Sequence, residues 1–319
     1  MTKASFNVVG IGNAIVDVLA SVDYKFMCEM GFEKGSMSLI DAKTASVLYD
    51  EMEIQEECSG GSAANTVSWL SSLGGKSAFI GKVRDDSLGR VFQDNIRKLG
   101  VAFGTKPSGS SSATARCLIF VTPDAERTMK TYLGACAELS SKDIDEQLII
   151  SSEITFLEGY LWDSHDARDA LVKAAKIAKN AGRKVALTLS DALCVDRHRY
   201  DFIELIDENI DILFANEEEI TSLYEVDDFE RAIKKVADRC ALSVLTRGER
   251  GSVLVTDNMV KMSNANTVKP VDTTGAGDAY AGGFLFGLSQ NKSLEDCAKL
   301  GTDIATKVIS QFGARPKIK

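Results

Sequence analysis

The 319-residue chain has four prolines, two histidines and two tryptophans. Several kinds of chemistry become poor candidates for want of material. The two histidines, His165 in "WDSHD" and His198 in "DRHRY", lie in charged, turn-forming surroundings. Surface or capping roles suit them better than a Ser–His nucleophile or a His-built metal centre. The seven cysteines are scattered, odd in number and never spaced as CxxC, so reduced thiols are expected rather than a disulfide framework. No apolar run approaches the roughly 20 residues of a membrane span. The N-terminal stretch is broken by Asn13 and Asp17, which makes it a poor signal peptide, and the expected location is cytoplasmic. Basic blocks are missing too, and the net charge is −9. That argues against nucleic acid and against an anionic membrane as partners. An anionic ligand would need a local positive field from helix N-termini, a few Lys or Arg, or a metal.

What the sequence does contain is a strand–helix rhythm. "FNVVGIG" (6–12) reads as a buried strand, and "AIVDVLASVD" alternates as a strand with one open face would. Helices are expected over 41–52, 64–74 and 87–100, the last closed by Gly100. "PDAE" (123–126) is turn chemistry between two strand-like runs, hence a hairpin. From 154 onward strands and helices alternate, which implies βαβ units and a largely parallel sheet. A second hairpin is expected over 251–264. Residues 14–59 and 109–135 are richer in strand alternation. The expected organisation is therefore a large α/β core from 1–13, 60–108 and 136–319, with a β-rich lid from 14–59 and 109–135.

Two glycine motifs fail on inspection. "GIGNAI" (10–15) follows a strand, but Ile15 stands where a dinucleotide fingerprint needs its third glycine. "GGKS" (74–77) lacks the leading glycine of a P-loop, Leu70 being there instead, and lies in the reverse helix-to-strand order.

"VDTTGAGDAYAGG" (271–283) is different. Thr273 and Thr274 can cap a helix starting at the glycines. Gly275 and Gly277 let backbone N–H groups turn outward, which makes an anion site. Asp278 falls in the first turn beside it. It could simply complement the helix dipole, or it could accept the proton of a hydroxyl that attacks a bound phosphoryl group.

Together with "GGSAANTVSWLSSLGGKSAFIGKVRDDSLGRVFQDNIRKLGV" (60–101), this stretch resembles the paired signatures of the ribokinase-like (PfkB) sugar and nucleoside kinases. The resemblance covers essentially the whole chain. It implies a ribokinase-like three-layer α/β sandwich with a mostly parallel central sheet and a small β-rich lid. It also implies ATP and Mg2+, with K+ as a further candidate cofactor, and a small-molecule acceptor bound by a monomer or homodimer. Asp278 matches the family's catalytic base, and Gly275, Ala276 and Gly277 its anion hole. Asn13, Asp17, Gly60, Gly61 and Asn65 match the acceptor-binding positions. Asn216 and Glu219 in "NEEEI" match the element near magnesium, reached through water, while Glu217 and Glu218 read as a solvated helix start. Thr246, Gly248 and Gly251 in "TRGERG" match the nucleotide side. Asp272 and Thr274, with the tail "QFGARP", resemble a monovalent-cation site, and Arg127 in the lid hairpin is a candidate phosphate contact. Met37 and Leu39 in "GSMSLI" share a strand face that could cover an apolar base. This favours phosphoryl transfer to the 5′-hydroxyl of adenosine. A sugar kinase of the ribokinase or fructokinase type is the alternative, and a non-catalytic nucleotide- or sugar-binding protein a more remote one.

Overall fold

Alternate residues of the central strands fill two different cores. Val9, Ile11, Leu157, Val185, Leu187, Leu213 and Ala215 pack into one. Val8, Ile154, Phe156, Ala186, Ile212 and Phe214 pack into the other. A strand can do this only if both sheet faces are covered, which is why these segments read as unbroken apolar runs. The computed structural model describes residues 4–124 and 126–316. Its large sheet has the spatial order Met259–Ser263, Ser252–Thr256, Leu242–Thr246, Ile212–Asn216, Lys184–Thr188, Ser152–Glu158, Phe6–Ile11, Ser77–Ile80 and Val101–Phe103. All neighbours are parallel except the hairpin strands 252–256 and 259–263 and the junction of 242–246 with 252–256. Helices His165–Asn180, Ala192–Asn209 and Phe229–Ala237 cover one face. Helices Ser62–Ser72, Ser87–Lys98 and Ala276–Ser289 cover the other.

Strand Phe6–Ile11 pairs with 77–80 on one side and with 152–158 on the other. Chain order therefore reverses beside it, and the crevice at the C-terminal strand ends opens there. Asn13, Glu158, Asn216 and Thr246 all lie at or just past such ends.

A second sheet has the order Met37–Leu39, Arg127–Tyr132, Ala115–Val121, Ile15–Ser21, Glu56–Gly60. One face is closed by two helices: Met27 of Tyr24–Glu29 and Leu48 of Ala42–Glu51 pack with Val16, Val18, Leu118 and Phe120. The sequence pattern shows the second of these helices; the six-residue first one is too short to stand out in strand-rich surroundings. The opposite face is less covered. Strand registers place Cys58, Asp17, Cys117, Thr131 and Leu39 in one cross-strand row, and Leu19, Ile119, Met129 and Met37 in the next.

Candidate active site

The stretch 271–283 becomes a tight turn and a helix, Ala276–Ser289, whose N-cap is Gly275 in the left-handed region at φ 73°. Neither Thr273 nor Thr274 caps it, contrary to expectation, and no other side chain does. A capping threonine needs extended backbone at the cap position, and the left-handed turn removes that option. The Thr274 N–H donates instead to Asp272. The first-turn N–H groups of Gly277 and Asp278 therefore keep no protein acceptor among the described residues. A Cβ on Gly277 would meet nothing within 4 Å, so the first turn is open on that side. Behind the turn there is no room: a Cβ on Gly275 would lie 2.5 Å from that of Ala314.

Asp278 projects from this first turn toward helix Ser62–Ser72. Its carboxylate accepts from the Ser62 hydroxyl at 2.6 Å and from the Asn65 amide at 2.8 Å. The other amide atom of Asn65, Oδ1, is buried and has no donor. Burial pushes Asp278 up from its ordinary range, and its two hydrogen bonds and the charge of Arg315 oppose that. Ser62 was missed by sequence reasoning, its place between Gly61 and Ala63 carrying no local signal.

Two glycines set up the entry to that helix. Gly61 has φ 98°, and a Cβ there would fall 2.1 Å from the Asn13 carbonyl oxygen. A Cβ on Gly60 would lie 2.5 Å from the Asp17 carboxylate. Asp17 thus rests on bare backbone. It has no hydrogen-bond donor among the described residues, and burial lifts its pKa to about 6 against the charges of Arg315 and Arg127. Asn13 faces inward: its amide and backbone N–H both donate to Glu158, which also accepts from Ala63 N–H. Glu158 is 1% exposed and burial raises it to about 7. It is the second residue that sequence reasoning missed, because "FLEGY" reads only as a strand end. Met37 and Leu39, at the sheet edge, are 49% and 59% exposed. They lie on the face that carries Asp17, rather than packing into the small sheet's own core.

On the other side of the crevice, Asn216 caps helix Glu217–Leu223 in a reciprocal box with Glu219. Glu219 is buried, and burial raises it to about 7, with Asp191, Glu218 and Asp278 adding repulsion. Glu217 corrects an expectation. It is not a freely solvated helix start but is half-buried and paired with Arg247 and Arg250. The Arg247 guanidinium also stacks over Phe229 at 4.2 Å. Thr246 lies opposite Asn216 in the parallel register. Gly248 has φ 58° with open space around it, whereas a Cβ on Gly251 would lie 1.9 Å from the Ser263 carbonyl oxygen. The first leaves room for a ligand; the second makes the turn.

Arg127 leaves the small sheet and reaches Asp272, 2.5 Å away, with both side chains under 10% exposed. The Nη2 contact is ionic rather than a directed hydrogen bond, and Arg127 Nε has no acceptor. The Asp272 carboxylate also accepts from Thr274 and Gly313 N–H groups. At the expected monovalent-cation site, Asp272 is engaged by Arg127 and by the N–H groups of Thr274 and Gly313. His165 is exposed and His198 pairs with Asp163, so neither enters the crevice.

The chain as a whole has known counterparts. The family described as pfkB family carbohydrate kinase matches residues 38–319. The chain is 30% identical over 256 residues to probable fructokinase-5 of Arabidopsis thaliana, a match that covers 77% of this chain and 78% of that relative. Among solved structures it is similar to the adenosine kinase of Sinorhizobium meliloti, with 49% identity, a TM-score of 0.91, and 98% and 96% of the two chains covered. A probable sugar kinase protein of Rhizobium etli CFN 42 has 45% identity, a TM-score of 0.91 and the same coverage. Among the described residues no helix is long and apolar enough to cross a membrane.

Proposed function

Because the chain belongs to the pfkB family of carbohydrate kinases, we propose that it transfers the γ-phosphoryl group of ATP to the 5′-hydroxyl of adenosine. Phosphotransfer to an alcohol, with ATP as donor, follows from the family itself. The acceptor, the metal and the residue roles are inferred from this crevice. The observation that carries the reading is Asp278: a carboxylate held by Ser62 and Asn65 in the first turn of a helix that no side chain caps and that is open around Gly277.

Asp278 accepts the proton of the attacking hydroxyl. The Gly277 and Asp278 N–H groups, and the turn at Gly275 and Ala276 that aims them, hold charge on the group in transfer. Positioning does most of the work. Asp17 has two free acceptor oxygens and Asn65 Oδ1 a free lone pair, which suits the vicinal hydroxyls of a ribose. Asn13 and Gly61 fix the loop that supports them, and Gly60 lets Asp17 lie flat against the backbone. Met37 and Leu39, on the Asp17 face, supply an apolar cover for a purine base, and the small sheet acts as a lid. Thr246 and Gly248 face the nucleotide, with Gly251 shaping their turn.

Mg2+ fits the donor set. Glu219 is a single buried carboxylate raised by burial and by its acidic neighbours, and no group of three ligands exists among the described residues. Such an ion would be carried mainly by phosphate and water with Glu219 behind the water, where it offsets phosphate charge. A cation at Asp272 and Thr274 would have to displace Arg127, so no step is routed through one.

A free sugar is the second reading, favoured by the unpartnered Asp17, which would bind any vicinal diol. Steady-state kinetics with ATP and Mg2+ against adenosine, other nucleosides, ribose and fructose decide. Adenosine should give the highest kcat/KM; phosphorylation of free sugars with no nucleoside turnover would sink the assignment.

A further inference from the structure

The segment after helix Leu294–Ile309 folds back into the molecule. Gly313 N–H donates to Asp272, Ala314 C=O accepts from the Trp69 indole, and Ala314 fills the space behind Gly275. The next residue, Arg315, turns its side chain inward. Its Nη1 donates to the Ala64 carbonyl at 2.8 Å and to the Ser68 hydroxyl, and its Nη2 to the Gly60 carbonyl at 3.0 Å. Nε has no acceptor, and the residue is 9% exposed. Every partner is a neutral oxygen. No carboxylate lies within salt-bridge distance of this guanidinium among the described residues. A buried cation held only by neutral acceptors is costly unless opposite charge stands close by.

The opposite charge is in the crevice. Gly60, whose carbonyl Arg315 holds, is the backbone on which Asp17 rests. Ala64, whose carbonyl it also holds, precedes Asn65, the amide donor to Asp278. Arg315 therefore holds the start of helix Ser62–Ser72 at the residues next to both acids: Gly60 lies against Asp17, and Ala64 precedes the amide that binds Asp278. Arg127, the other cation near Asp17, is committed to Asp272.

We propose that Arg315 is a positioning residue: a fixed cation, planted under the start of helix Ser62–Ser72, that keeps Asp17 and Asp278 ionised for acceptor binding and proton removal. This rests on the kinase reading of the site. Its charge opposes the upward push of burial on both acids, and is the largest opposing charge on Asp17. The other groups that Asp17 faces are Arg127, Asp278, Glu56, Cys58 and Cys117. Around Asp278 stand Asp17, Glu158, Glu219 and Tyr160. All of these but Arg127 either repel a second carboxylate charge or are neutral at pH 7, so removing Arg315 leaves that repulsion less opposed.

The test uses the full chain with R315M and R315K. Rates are followed from pH 5 to 9 on whichever acceptor the wild type phosphorylates. R315M should move the acid limb of kcat and kcat/KM up by roughly one pH unit and recover toward wild type by pH 9, because a neighbouring opposite charge shifts a carboxylate by about that much or more. R315K should return the limb most of the way. Loss by the same factor at every pH, or no change, overturns the proposal. An activity-independent arm separates this from failure of the kinase reading. At pH 8, D17N should raise the melting temperature more in the R315M background than in wild type, and the excess should vanish at pH 5. Equal increments contradict the proposal. If R315M alone does not fold, rescue of folding by D17N supports it and lack of rescue contradicts it.

Discussion

Arg127 and Asp272 form a buried ion pair that joins the small sheet to the turn leading into Asp278. Asp272 is 145 residues from Arg127 in the chain, and it also gathers the N–H groups of Thr274 and Gly313. The small sheet, the turn before Asp278 and the C-terminal segment thus meet at one carboxylate. With Nη2 engaged by Asp272, Arg127 still has an unpartnered Nε–H that an incoming phosphate oxygen can take. R127M should lower kcat/KM by roughly 100-fold, the size of loss typical for one charge-stabilising donor. Its circular dichroism should match wild type. Near-normal kcat/KM would show that the arginine only latches the lid.

Asp278 has the sharpest expected effect. D278N keeps the size of the side chain and removes the base. Turnover should fall by roughly 10²- to 10⁴-fold, the usual worth of general base catalysis, with nucleotide affinity retained. S62A should fall less, because Asn65 still holds the carboxylate. Rapid-quench measurement of the chemical step separates these losses from product release.

Gly60 and Gly61 are adjacent but should fail differently. G61A forces a Cβ against the Asn13 carbonyl oxygen at a left-handed φ, a strain of about 1–3 kcal/mol, and thermal melting should show it. G60A pushes on the Asp17 carboxylate instead. Its main effect should be a higher KM for the acceptor, with kcat changed less.

Asp17 predicts a pH dependence of stability. Its folded pKa, about 6, lies above the ordinary 3.8, so folding favours the protonated form. That contribution is fully present below pH 4 and is lost as pH rises through 6. The neutral amide introduced by D17N has no such loss, and no donor to Asp17 is given up. D17N should therefore melt higher than wild type at pH 8, by on the order of 1–3 °C, with the gain gone near pH 4. A D17N protein that melts lower at pH 8 would mean Asp17 is held by an interaction the crevice does not display.

The α/β rhythm and the glycine turn at 275–277 could be read from the chain because their causes are local: apolar period, turn residues, a bare helix start. The second hairpin over 251–264 and the apolar edge at Met37 and Leu39 were legible for the same reason. The partners of the site acids were not. Ser62 and Asn65 reach Asp278 across 216 and 213 residues, and Asn13 reaches Glu158 across 145. Arg315 reaches Ala64 across 251. No local pattern marks a buried glutamate at a strand end, or an arginine close to the last residue of the chain, as members of one crevice. Thr273 and Thr274 misled in the opposite way, since their capping propensity is real but the left-handed Gly275 takes the cap position.

Phosphoryl transfer to a nucleoside hydroxyl, with Asp278 as the base, is tested most directly by product identification. The protein is incubated with ATP, Mg2+ and either adenosine, ribose or fructose, and the products are assigned by chromatography and phosphorus NMR. Wild type should form one 5′-AMP and one ADP per turnover, and D278N should do so at a rate lower by orders of magnitude. A sugar phosphate from ribose or fructose with no AMP from adenosine, or undiminished AMP formation by D278N, would contradict the assignment.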